Sequence, residues 1–192
     1  MSHVSVERPT LYFDEPGPQN TDETLKAAKR RAEELGITDI VVASTRGETG
    51  VKAAELFKGY NVVVVTHVTG FREPGAQEFS QEAAEKIRKL GGKVLTTTHA
   101  FAGVSRAIRR KFETVTSVEV VAQTLRLFGQ GTKVCVEIVA MAADAGLIPV
   151  DRDVIAIAGT GRGADTALVI KPAHASRLFD MAVREIIAKP RL

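Results

Sequence analysis

Two histidines and four polar, glycine-rich stretches are the places where this 192-residue sequence can carry chemistry. The first stretch runs Ser44-Thr45-Arg46-Gly47-Glu48-Thr49-Gly50. Its hydroxyls and main-chain N–H groups suit an anion, phosphate or carboxylate. Its glycines permit close backbone approach, and a helix starting there adds free N–H groups and the positive end of its dipole. Arg46 adds a fork of donors. A plainer reading has Thr45 or Thr49 only capping that helix. The Gly-Lys-Ser/Thr ending of a P-loop is missing.

The second stretch is His67-Val68-Thr69-Gly70-Phe71 and the third His99-Ala100-Phe101. Either histidine can act as acid, base or metal ligand, or serve as a hydrogen-bonded structural group. No His-x-x-x-His spacing and no cysteine partner accompanies them, so no metal is expected. Phe71 and Phe101 can lie over a planar ligand or belong to the core edge. The fourth stretch, Gly159-Thr160-Gly161-Arg162-Gly163-Ala164-Asp165, formally fits a dinucleotide fingerprint. That fingerprint needs a helix after its glycines, to face the pyrophosphate. Here "ALVIK" follows, strand-like and stopped by Pro172. The spacing therefore argues against a dinucleotide. Glu48 and Asp165 are the carboxylates best placed by loop position, and each can equally cap a turn.

The elements around these stretches alternate. After a short extended piece ending in "LYF", "DIVVAS" (39–44), "NVVVVTH" (61–67), "KVLTTT" (93–98), "DVIAIA" (153–158), "ALVIK" (167–171) and "AVREIIAK" (182–189) read as strands. A helix opens at Asn20 with Glu23 in capping-box position, turns Leu25, Ala28, Ala32 and Leu35 inward, and ends at Gly36. Helical spacing recurs at 52–57, at 80–90 (Ala83, Ala84, Ile87 and Leu90 inward) and at 104–112. It recurs again at 118–128, aligning Val118, Val121, Leu125 and Phe128. After a break at Gly129 and Gly131, residues 132–145 read as a buried helix. Short apolar strands alternating with amphipathic helices imply a mainly parallel sheet covered on both faces, in one domain over 1–192. Loops entering strands are plain, while those leaving them are the four stretches above. Ligands bind beyond the carboxyl ends of such strands, so one shared cleft is expected.

Composition removes other classes. The 26 basic and 23 acidic residues are spread evenly for a net charge of +3, which does not point to nucleic acid. The single cysteine, Cys135, lies in an apolar helical run and reads as packing. No run approaches the ~18–20 apolar residues of a membrane span, and "MSHVSVERPT" lacks the order of a secretory signal. The cytoplasm is the expected location. Arg106, Arg109 and Arg110, with Lys111 beside them, share a helical face open to solvent, to a ligand phosphate or to a neighbouring subunit.

The segment "LGITDIVVASTRGETGVKAAELFKGYNVVVVTH" resembles the C-terminal α/β domain of pyruvate kinases. "THVTGF", "THAFAGVSRAIRRKF" and "GTGRGADTALVIKPAH" are similar to a stand-alone archaeal family, pyruvate kinase α/β domain-like. The resemblance implies a three-layer α/β/α fold with a mainly parallel, mixed sheet whose last strands run antiparallel. In pyruvate kinases the first loop grips a phosphate of an allosteric sugar bisphosphate, a role that falls here on Ser44, Thr45, Gly47, Thr49 and Gly50. Arg46 and Glu48 depart from the family's small residues, and Glu48 beside a phosphate repels it. The catalytic barrel has no counterpart in these 192 residues, so pyruvate kinase activity is not expected. The stand-alone family is similar to binders of flavin mononucleotide (FMN). That likeness places a phosphate on 44–50 and an isoalloxazine against 67–71 and 99–101, with 159–165 closing the other side. The alternative is an enzyme in the same cleft, flavin-dependent or acid–base, working on a small metabolite through His67 or His99. A phosphorylated small molecule is the expected partner; a third, interaction-only reading places the helices of 104–128 at an interface with a second copy of the chain.

Overall fold

Residues 40–42, 62–65 and 154–158 are so uniformly apolar that they can only be buried on both faces, and in the computed structural model, which describes residues 5–191, they are. They lie on three of seven strands: β1 (Leu11–Phe13), β2 (Asp39–Ala43), β3 (Asn61–Val65), β4 (Lys93–Leu95), β5 (Val154–Ala158), β6 (Thr166–Lys171) and β7 (Ala182–Pro190). The sheet order is β1-β7-β6-β5-β2-β3-β4. β2 runs parallel to both its neighbours, β3 and β5; β3 with β4 and β1 with β7 are also parallel. β6 runs antiparallel to β5 and to β7, as the resemblance implies.

Side chains alternate across this sheet. Ile40, Val42, Val62, Val64, Ile155 and Ile157 join one core, while Val41, Val63, Val65, Val154 and Ala156 join the other. The first core is covered by α1 (Thr21–Leu35), α2 (Glu48–Leu56) and α3 (Gln81–Lys89), through Leu25, Ala28, Ala53 and Ile87. The second is covered by α6 (Gln130–Asp144), with Cys135, Ile138, Val139 and Ala142 inward. Each fully buried side chain of this size contributes about 1.5–3 kcal/mol. The layers are α/β/α. Burial pushes the Cys135 thiol well up, with the Asp165 charge adding to it, so this cysteine packs inertly. On the outside lie α4 (Gly103–Phe112), which buries none of its residues, and α5 (Ser117–Arg126), which buries only Ala122. Val104, Phe112, Val115, Val120 and Leu127 stay exposed there.

Several boundaries differ from the sequence reading. Asn20 closes a 3-10 turn, Pro18–Asn20, and α1 starts at Thr21. Asn20 holds the N-cap position of α1 but makes no side-chain capping bond; its Nδ2 donates to Glu15 O at 2.8 Å. Leu35 and Phe128 are exposed, since each stands at a helix end beyond the last turn that meets the core. β4 ends at Leu95 and not Thr98, because its one neighbour, β3, ends opposite at Val65. α2 starts at Glu48, four residues before Lys52.

α6 also begins earlier, running through Gly131. A Cβ there would stand 2.1 Å from Thr166 Oγ1, so glycine is what lets the start of α6 touch β6. Gly131→Ala therefore has a sign that discriminates. Free of contact, the change would stabilise the helix by about 0.5–1 kcal/mol. Against Thr166 it destabilises by about 1–3 kcal/mol, read as a lower urea midpoint.

Candidate functional site

The chain leaves β2 for β3 and β4 on one side, whereas β5 lies on the other. This reversal opens a crevice between the carboxyl ends of β2 and β5, where open α/β sheets hold their ligands. A cavity of about 620 Å³ occupies it, within the range of small-molecule sites. Four loops reach it. The turn after β2 supplies Ser44, Thr45, Arg46, Glu48 and Thr49, and the connection after β3 supplies His67, Phe71 and Arg72. The segment after β4 supplies His99; the turn after β5 supplies Gly159, Gly161, Arg162 and Gly163. The opposite wall is α6, with Lys133, Val134, Glu137, Ile138 and Met141.

The first turn is built around Ser44. Its Oγ accepts the N–H groups of Gly47 and Gly50, each at 3.2 Å. Gly47 backs onto Ala83 of α3 and Gly50 onto Val64 of β3, so both glycines lie outside the cavity lining. Their closeness folds the turn back and leaves Glu48 and Thr49 as the first helical residues. Main-chain N–H groups there have no acceptor within the helix, and the helix dipole adds positive potential. Lys52 follows one turn on, paired with Asp22 at 2.6 Å.

The turn after β5 is the loop of an antiparallel hairpin, with no helix after its glycines. Gly161, Arg162 and Gly163 face the cavity; Thr160 and Asp165 do not line it. Asp165 is fully buried and fastens the loop: its carboxylate accepts from Gly17 N at 3.1 Å, Thr160 N at 3.0 Å and Thr166 Oγ1 at 2.8 Å. Gly163, at φ +69°, packs where a Cβ would lie 2.4 Å from Pro18 Cα. These contacts tie the hairpin loop to the start of α1.

Aromatic groups gather after β3 and β4. His67 stacks on Phe71 with ring centres 4.1 Å apart, and His99 stands 5.5 Å from His67. The Arg106 guanidinium lies 4.7 Å from the Phe71 ring centre. Phe101 is buried in the α6 core, outside this cavity, and its N–H donates to Glu137 Oε1 at 2.9 Å. The two phenylalanines thus do not flank one space. Val68, Thr69, Gly70 and Ala100 also lie outside the lining. Val68 N–H donates to His99 Nε2 at 3.2 Å, so that nitrogen is already committed. Burial, then the charges of His67, Lys133 and Arg106, holds His99 below the ordinary histidine range against the upward pull of Glu137. His67 Nδ1 is 2.8 Å from Glu78 Oε2.

The pyruvate kinase, alpha/beta domain family matches residues 22–170. The chain belongs to that family. Among solved structures it is similar to a pyruvate kinase from Cryptosporidium parvum (14% identity, TM-score 0.42, 80% of this chain and 23% of that one). It is also similar to Cryptosporidium parvum pyruvate kinase in complex with ADP (15% identity, TM-score 0.39, 85% and 24%). The chain spans about a quarter of the length of these proteins.

Sequence spacing missed part of the lining of this pyruvate kinase alpha/beta domain: Lys52, Arg72, Arg126, Gln130, Lys133 and Glu137. The signal for two of them was present. Lys133 and Glu137 sit one turn apart in an otherwise apolar helix, both buried, and Lys133 Nζ pairs with Glu137 Oε2. Charges are costly to bury, so such a pair in a core helix marks a special place. Burial pushes Lys133 down, with Glu137 opposing. Lys133, Arg106 and Arg126 also line a smaller cavity of about 120 Å³ beside the first.

Two outcomes follow. Because the native His99 value lies below 6.5, the unfolded chain binds more protons between the two values, and stability rises with pH across that window. Acidification from about pH 7 to about 5.5 lowers the urea midpoint, and His99→Gln, still an acceptor for Val68, shrinks that loss. Asp165→Ala leaves three donors unpaired, of which Gly17 N and Thr166 Oγ1 are buried, and destabilises by about 2–4 kcal/mol in the same assay.

Proposed function

We propose that this pyruvate kinase alpha/beta domain is a cytoplasmic binding protein for a phosphorylated planar molecule, FMN by preference, and that it has no pyruvate kinase activity. One observation carries the reading. Seven cations (Arg46, Lys52, Arg72, Arg106, Arg126, Lys133 and Arg162) line the cavity against two carboxylates, Glu48 at the N-terminal end of α2 and Glu137 on α6. Such a wall favours a ligand with concentrated negative charge. No helix among the described residues is long and apolar enough to cross a membrane.

The donor set fits FMN at its phosphate end. Thr45, Thr49 and the first N–H groups of α2 would hold the phosphate, with Arg46, Lys52 and Arg162 around it. Glu48, exposed on the rim, is outnumbered there by those three cations. For the ring system the cavity offers an apolar strip, Ala43 and Val65 on the sheet side and Val134, Ile138 and Met141 on α6. The Phe71 face is already covered by His67, which moves the ring from the aromatic pair expected above to this strip. Bound FMN supplies hydride and single-electron chemistry; the chain's own residues bind and orient it.

The absorption spectrum of freshly purified full chain tests this, followed by titration calorimetry with FMN and riboflavin. Flavin bands are expected, with FMN binding tighter than riboflavin by about tenfold or more. Arg46→Ala with Arg162→Ala erases most of that difference and flattens the salt dependence of FMN binding. A colourless protein that gives no heat with FMN sinks the proposal.

A further inference from the structure

His67, at the carboxyl end of β3, is held more firmly than a wall residue needs to be. Glu78 Oε2 lies 2.8 Å from its Nδ1, while Glu78 Oε1 is ion-paired with Arg72 Nε at 3.0 Å. Phe71 covers one ring face. The His67 carbonyl accepts from Thr66 Oγ1 at 2.8 Å and from Gln77 Nε2 at 3.1 Å.

This chain of contacts has a direction. Arg72 is permanently charged, so Glu78 stays ionised and can only accept. The hydrogen bond from His67, with Arg72 and Arg46 adding, holds the Glu78 carboxyl below its ordinary range. Nδ1 therefore carries a hydrogen, so in the neutral form of the ring it is Nε2 that is bare. No described residue hydrogen-bonds that nitrogen, and no polar side-chain atom among the described residues is both buried and unpartnered, so Nε2 is open to solvent on a residue that lines the cavity. His99 cannot duplicate it, since its Nε2 is occupied by Val68 N–H. Nor can Glu137, which already accepts from Lys133 and from Phe101 N–H. Glu48, the other lining carboxylate, is exposed on the rim beside Arg46, Lys52 and Arg162; in the wall beside Phe71, one basic nitrogen stands free.

We infer that His67 is the proton acceptor of this cavity and Glu78 its positioning residue, so that the ligand carries an acidic O–H, N–H or C–H as well as its anionic group. The proton leaves a ligand atom, which keeps the bonding pair, and joins the Nε2 lone pair. The imidazolium so formed faces Glu78 through Nδ1–H, and the proton returns to the ligand or to water. No electron acceptor or further reactant enters. The titratable and charged groups around the ring are Glu78 and Arg72 from its own connection, Arg46 from the β2–α2 turn acting on Glu78, His99 from the segment after β4 and Arg106 from α4. The inference rests on the cavity being a ligand site, as proposed above, and not on that ligand being FMN.

Long-range proton–nitrogen correlation spectra of the ¹⁵N-labelled full chain test it, together with carbethoxylation by diethyl pyrocarbonate. The neutral His67 ring is expected to be protonated on Nδ1 and bare on Nε2. Its Nε2 reacts about tenfold faster than His99, and saturating FMN or inorganic pyrophosphate slows the reaction by about fivefold or more. In Glu78→Gln, Arg72 claims the amide oxygen, the NH₂ group turns to Nδ1, and the tautomer flips. Carbethoxylation at Nε2 then falls by about tenfold while the circular dichroism stays unchanged. A native His67 protonated on Nε2 overturns the inference, and that measurement decides even where the variant folds poorly. A reaction rate indifferent to Glu78→Gln overturns the role of Glu78. A correct tautomer with no protection by either FMN or pyrophosphate overturns the ligand-site reading instead, and the ligand clause with it.

Discussion

β2 has both edges paired in parallel and both faces buried. That double constraint leaves it no freedom of register, because a shift by one residue would move Ile40 and Val42 from one core into the other. Its neighbours inherit the direction. The ends of β2, β3, β4 and β5 must then emerge at one edge, and everything polar that follows them must share that edge. The cavity is a consequence of how the central strand is packed.

Much of this was legible because apolar period and loop chemistry are local properties. The strands at 39–43, 61–65 and 154–158 read directly from continuous β-branched and alanine runs, and the decorated loops could be assigned to one edge from the alternation alone. What stayed hidden depends on partners distant in sequence. Asp165 reads as a candidate chemical group, yet it receives Gly17 N from 148 residues away and serves as a clasp. Phe101 and Phe71 look equivalent in their loops, but only the approach of α6 decides that one is buried and the other on the wall. Glu78 drew no notice because its role exists only through His67.

Electrostatically the site is lopsided. Arginine and lysine come to it from five places in the chain: the turn at 44–52, the 66–80 connection, α4, the α5–α6 region and the β5–β6 loop. Their mutual repulsion is partly relieved by Glu137 at Lys133, Glu78 at Arg72, and Asp22 at Lys52. The carboxylates thus sit behind the cations more than among them. Positive potential is projected into the open space while Lys133, Arg72 and Lys52 each keep a counterion. That arrangement lets a globally near-neutral surface carry a strongly biased interior mouth.

One element stands apart from this economy. α4 contributes no side chain to either core, begins at Gly103 with φ +47° and ends at Glu113 with φ +51°. Its named ties are Arg106 over Phe71 and Arg109 to Glu119 at 2.8 Å. Unravelling these ten residues would expose almost no apolar area to water, so the main resistance comes from the helix's own main-chain bonds. Opening α4 therefore also carries a guanidinium away from the cavity, and the charge felt by an arriving solute is coupled to a lightly secured piece of backbone.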